Sequence, residues 1–73
     1  MNLETKIIRM MWALVEKSNP YSLITLSDHE LREQLINEID SLFSLSPDDS
    51  KILSQYILSR TVLIRDLAYS KVD

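Results

Sequence analysis

The side chains of this sequence that could do chemistry are few, and each lacks the neighbours that chemistry needs. His29 is the single histidine, and imidazole is the side chain whose ordinary titration lies nearest neutrality, which makes it the natural candidate for a general base. It falls in the first turn of an amphipathic segment, where a solvated surface residue is expected. No serine or cysteine nucleophile with a third, orienting group can be assigned to it. Asp48 and Asp49 are adjacent carboxylates of the kind a hard cation accepts. They directly follow Ser46-Pro47, a helix-start signal, and the positive end of a helix dipole accounts for both without a metal. With one histidine and no cysteine, zinc sites of the usual ligand sets are not expected. With no glycine, the phosphate-cradling loops that need residues without a Cβ are excluded. The expectation is a protein that is not an enzyme and carries no metal and no cofactor.

Two arginines have positions that ask for an explanation. Arg60 lies at helical spacing from Tyr56 and Ile64, inside what reads as a core-facing arc. Either its stem packs while the guanidinium pairs with a carboxylate or reaches solvent, or it anchors an acidic partner, since arginine is enriched where binding energy concentrates. Arg32 sits similarly in the apolar face of the preceding helix, and the same two readings apply.

The elements that position these residues follow from composition and spacing. Seventy-three residues make one domain, and a chain this short without disulfides must be stabilised by packing alone. No glycine and only two prolines argue against strands joined by tight turns and for helices with sequence-specified caps. The spacing predicts an all-α fold, a small three-helix bundle with helices over about 3–18, 28–43 and 47–70, the second and third forming an αα-hairpin.

The first predicted helix has Asn2 as its cap, Glu4 in the first turn, and Leu3, Ile7, Ile8, Met11, Leu14 and Val15 on its apolar face. Met10 and Trp12 stand at the edges of that face and widen it. Pro20 ends the helix at Asn19. Residues 19–27 are apolar for a connection, so they pack down, either as a short helical turn capped by Asn19 or as an extended strap. The second helix opens with the capping box Ser27-Asp28-His29-Glu30, bracketed by Leu26 and Leu31 as a hydrophobic staple. Leu31, Leu35, Ile36, Ile39, Leu42 and Phe43 then repeat on one face. Ser46-Pro47-Asp48-Asp49 starts the third helix.

That third helix organises the chain. Ile52, Leu53, Tyr56, Ile57, Leu63, Ile64, Leu67 and Ala68 occupy an arc roughly 160° wide, a core face. Leu58, Val62 and Tyr69 lie together on nearly the opposite side, separated from the core arc by Ser54, Thr61 and Arg65 on one flank and Gln55, Ser59 and Asp66 on the other. Three apolar residues on one stripe of a small domain predict a covered surface. The cover is a second chain, or else helix one or residues 21–26 of the same chain.

Charge narrows the partners. Residues 27–49 carry a net charge of −6 within a chain whose total is −3, so a polyanion meets repulsion across the middle. A recognition helix that begins Pro47-Asp48-Asp49 is poorly suited to phosphates. No helix has the lysine- and arginine-rich face that membrane surfaces attract, and the longest apolar run, residues 10–15, is far short of the roughly 20 needed to span a bilayer. The sequence therefore predicts a cytoplasmic, non-enzymatic protein-interaction module. It is a homodimer acting as an adaptor or regulator, with an interface of Leu58, Val62, Tyr69, Arg60 and Trp12, and without nucleic-acid or membrane partners. The alternative is a small dimeric DNA-binding transcriptional regulator.

Overall fold

Polar caps set where most of the helices begin. In the computed structural model, which describes residues 5–72, five helices follow one another: α1 (Thr5–Lys17), α2 (Pro20–Thr25), α3 (Asp28–Phe43), α4 (Pro47–Ser59) and α5 (Thr61–Tyr69). No strand occurs among the described residues. Asn2, Leu3 and Glu4, expected at the start of the first helix, lie outside them.

Asn19 caps α2, its side-chain oxygen accepting from the Tyr21 N–H at 2.9 Å with Pro20 in the first turn. Of the two expectations for residues 19–27, the helical turn is the one observed. Ser27 forms the full capping box, its hydroxyl accepting from the Glu30 N–H at 3.2 Å while Glu30 accepts from the Ser27 N–H at 3.1 Å. Ser46 accepts from the Asp49 N–H at 3.1 Å ahead of Pro47. At the end of α3 the chain reverses through Ser44 in the left-handed region, φ 54°. Glycine usually fills that position, and this chain has none. The reversal is fastened by Asp40, whose carbonyl accepts from the Ser44 N–H and whose carboxylate accepts from the Leu45 N–H, both at 2.8 Å.

Ser27→Ala is expected to lower stability by ~1 kcal/mol, because an otherwise orphaned backbone donor loses its partner. The midpoint of chemical denaturation reads it, and an unchanged midpoint contradicts the cap. The same box holds the Glu30 carboxyl below its ordinary pKa, first through the Ser27 backbone N–H and then through the Ser27 hydroxyl. A folded-state pKa that is depressed adds stability above the ordinary carboxylate range and loses it as pH falls through the folded value. Glu30→Gln should therefore flatten the acid side of the stability curve.

Each helix supplies the core at one-turn spacing: Ile7, Met11 and Val15 from α1, Leu23 from α2, Leu31, Leu35 and Ile39 from α3, Leu53 and Ile57 from α4, and Ile64 and Ala68 from α5. The helix α3 packs on α4 across residues 44–46, α1 packs on α3, and α2 packs on α5. The molecule measures 38 × 19 × 18 Å. Its short dimensions are about two helices thick, so each helix keeps a side toward solvent.

Three expectations are corrected here. The third helix is not continuous over 47–70 but breaks at Arg60, where φ is −116° and ψ 9° and the N–H bonds to the Ile57 carbonyl three residues back at 2.9 Å. With the α2 turn, this makes five helical segments rather than three. Neither glycine nor proline stands between Ile57 and Val62, but the hydroxyls of Ser59 and Thr61 on either side of the break bond back to the Tyr56 and Leu58 carbonyls, at 2.7 and 3.4 Å, the kind of back-bonding that bends helices. Beyond the break, α5 packs on α2. The buried arc is also shifted, because Leu63, expected in the core, is 46% exposed, while Thr61, expected on the polar flank, is 5% exposed. Thr61 tolerates burial because its hydroxyl donates to the Leu58 carbonyl at 3.4 Å. Leu42, expected on the core face of the second helix, is exposed at the C-terminal end of α3.

Candidate functional site

The outward side of α4 and α5 carries most of the large apolar residues that the fold leaves uncovered; Tyr21 of α2 and Leu42 of α3 are exposed as well. Leu58 is 43% exposed, Val62 73% and Tyr69 55%. The helix α2 packs on α5, and the residues that α5 buries are Thr61, Ile64 and Ala68. Neither α1 nor residues 21–26 therefore closes over Leu58, Val62 and Tyr69 within the chain. Leu63 adds a fourth exposed apolar side chain, unforeseen from the sequence because a straight helix assigns it to the core. Asp66 is exposed on the same helix, one turn from both Val62 and Leu63, and Tyr69 follows one turn later.

Arg60 and Trp12 are joined through a different residue, Tyr56. The Trp12 indole N–H donates to the Tyr56 hydroxyl at 3.0 Å, and the rings meet edge to face with centroids 6.5 Å apart at 84°. The Arg60 guanidinium lies over the same tyrosine ring, 5.0 Å from its centroid, and donates to the Ser59 hydroxyl at 3.2 Å. Trp12 and Tyr56 are half-buried, and Arg60 is exposed. Arg60 therefore leaves the core position that the straight-helix reading gave it and reaches solvent over an aromatic face, a favourable place for a guanidinium. The structure groups Trp12 with Arg60 through Tyr56 and leaves Leu58, Val62 and Tyr69 as a separate apolar strip.

The arginine that ties the elements together is Arg65, which the spacing placed only on a flank. It pairs with the Asp28 carboxylate at the first residue of α3 and donates to the Leu26 carbonyl at 2.8 Å. One side chain thus fastens α5 to the turn between α2 and α3. Lys71 adds a second tie, donating to the Glu16 carbonyl at 2.8 Å and to its carboxylate at 3.1 Å. Neither partnership leaves a sign in a single sequence, because the partners stand 37 and 55 positions apart. Arg32, half-buried, reaches Glu33 at 3.5 Å and the His29 ring nitrogen Nδ1 at 3.0 Å.

His29 is exposed in the first turn of α3, with Arg32 and Glu33 beside it and no nucleophile among its hydrogen-bond partners. Among the described residues, no group of three or more His, Cys, Asp or Glu side chains lies close enough to hold a metal ion. No helix of the described residues is long and apolar enough to cross a membrane. A solvent-open groove of about 620 Å³ runs along α1, lined by Thr5, Lys6, Arg9, Met10 and Ala13. It contains no acid–base pair. The outward side of α4 and α5 thus presents exposed apolar side chains, with the exposed Arg60 guanidinium at the break between the two helices. Compared with known proteins, the chain finds no matching family model, no curated protein and no solved structure of significant similarity.

Proposed function

We propose that this protein is a non-enzymatic helical interaction module, a self-associating adaptor or regulator that pairs with a second copy of itself through Leu58, Val62 and Tyr69. The observation that carries this reading is their exposure, 43%, 73% and 55%, in a chain with so few residues to spare from its core. Burying such side chains against a partner contributes roughly 1.5–3 kcal/mol each when complete. Two-fold pairing, in which the strip faces itself across an axis, is the commonest closed arrangement. Within each copy, α3 and α4 act as an αα-hairpin, the frame of a small bundle on which the strip is displayed. Arg60, over Tyr56 and Trp12, supplies a cation beside the interface for an acidic group of the partner.

A dilution series followed by NMR tests the assignment. Amide signals of Leu58, Val62 and Tyr69 are expected to shift with concentration, while those of Glu38 and Ser41 in α3 stay fixed. Shifts confined to other helices contradict it. No binding to mixed duplex DNA at moderate salt and no stabilisation by zinc are expected, given the acidic middle and the missing ligand cluster. Sub-micromolar DNA affinity at physiological salt would instead favour a dimeric DNA-binding regulator.

A further inference from the structure

Among the described residues, the break at Arg60 is the boundary between helices that has neither a capping side chain nor a glycine or proline. The helices α2, α3 and α4 each start on a side-chain cap, and α3 ends in a left-handed residue. By contrast α5 starts at Arg60 with no side-chain cap at all, and the residues from Ile57 to Val62 include no glycine or proline. Ser59 and Thr61 bond back to the Tyr56 and Leu58 carbonyls beside it, and further contacts hold α5 in place. The helix packs on α2 with Thr61, Ile64 and Ala68 buried, Arg65 reaches Asp28 and Leu26, and Lys71 just beyond the helix reaches Glu16. Apart from its contact with α4, these partners belong to α1, α2, the turn after α2 and the start of α3. A second copy of the chain offers the same seat.

We infer that α5 is an exchangeable arm: Arg60 straightens, α4 and α5 become one helix, and each of two chains lays its α5 on the α2 of the other. The inference rests on the self-association proposed above and gives it a geometry. Exchange conserves the contacts of the seat, because the partner supplies the same residues, and it replaces the turn at Arg60 with continuous helical hydrogen bonding; Arg60 then returns to the core-facing arc, its stem packed and its guanidinium reaching solvent. A one-residue hinge between two packed helices is the kind of short connection that invites such exchange. Straightening also unites the apolar strip. On a continuous helix Leu58, Val62 and Tyr69 fall at spacings of four and seven residues along one line, so the exchanged dimer presents as a single ridge what the bent chain divides between α4 and α5.

The ion pair between Lys71 and Glu16 gives the test a readout in the unaltered chain. Their 3.1 Å contact suits a carbodiimide, which joins a touching amine and carboxylate as an amide without a spacer. Unlabelled and ¹⁵N-labelled protein are co-refolded at high concentration, cross-linked and digested, and the Glu16–Lys71 peptide pair is weighed. Exchange predicts pairs with one labelled and one unlabelled half. A dimer whose Glu16–Lys71 pairs are all of one isotope overturns the exchange and leaves the self-association through the strip standing. A protein that stays monomeric at every concentration overturns both. The hinge gives a second, independent reading. Alanine and glycine differ about fivefold in preference for a helix interior, and a dimer contains two hinges, so Arg60→Ala should exceed Arg60→Gly about thirtyfold in dimerisation constant. Equal constants for the two variants would place residue 60 outside any helix in the dimer and overturn the inference.

Discussion

A chain carrying Leu58→Glu and Val62→Glu together is expected to run as a helical monomer at concentrations where the unaltered chain is dimeric. Both side chains are already exposed in the single chain, so the substitutions remove nothing from the core, and the fold should keep its stability to within about 1 kcal/mol. Association is a different matter. In a two-fold interface the change counts twice, replacing four apolar contacts with four carboxylates that must face one another. Loss of even 3 kcal/mol of association energy, a conservative fraction of what complete burial of these side chains provides, weakens a dimer by more than 100-fold. Light scattering reads the mass and circular dichroism the helix content. Loss of fold in this variant would mean that the strip is structural within one chain, and an unchanged dimer would place the interface elsewhere.

Leu53→Ala is expected to have the largest effect on stability. Leu53 is fully buried in α4, within the cluster that joins residues of all five helices. Truncating a buried leucine typically costs 2–5 kcal/mol, partly as lost transfer energy and partly as the cavity left behind. Domains of this size rarely hold more than about 3–5 kcal/mol of net stability. The variant should therefore sit near its unfolding midpoint, its Tm lower by about 10 °C or more. Leu42→Ala is the matching control: Leu42 is 60% exposed, and its truncation should change stability by under about 0.5 kcal/mol. Similar losses at the two positions would contradict the assignment of the core.

The all-helical fold and most helix boundaries were legible because they are written locally. Asn19-Pro20, Ser27 with Glu30, and Ser46-Pro47 are caps whose geometry depends on neighbours within a few residues, and each is observed where the spacing places it. The core faces of α1 and α3 were legible in the same way, since residues one turn apart share a side. The bend at Arg60 was not. It goes with the packing of α5 on α2 and with Arg65 reaching Asp28, contacts between residues far apart in the chain, and locally only the back-bonding hydroxyls of Ser59 and Thr61 mark it. The wheel drawn for a straight helix places the rest of the arc correctly but misplaces Leu63, which is exposed, and Thr61, which is buried.

Of the side chains marked as an interface, Leu58, Val62 and Tyr69 are exposed as the wheel implied, whereas Trp12 spends its indole N–H and its ring edge on Tyr56. Sequence could place Trp12 at the margin of an apolar face. It could not tell whether the neighbour there was another helix of the same chain. Arg60 shows the limit from the other side. Periodicity alone put it in the core, but a guanidinium is expensive to bury without a partner, and at the bend its charge lies over the Tyr56 ring.

Sedimentation velocity of the unaltered chain over a concentration series reaching high micromolar reads its self-association without any substitution. The boundary is expected to move from monomer to dimer as concentration rises, and to stay monomeric in the Leu58→Glu, Val62→Glu chain. A single monomer boundary for the unaltered chain across the whole series would contradict self-association.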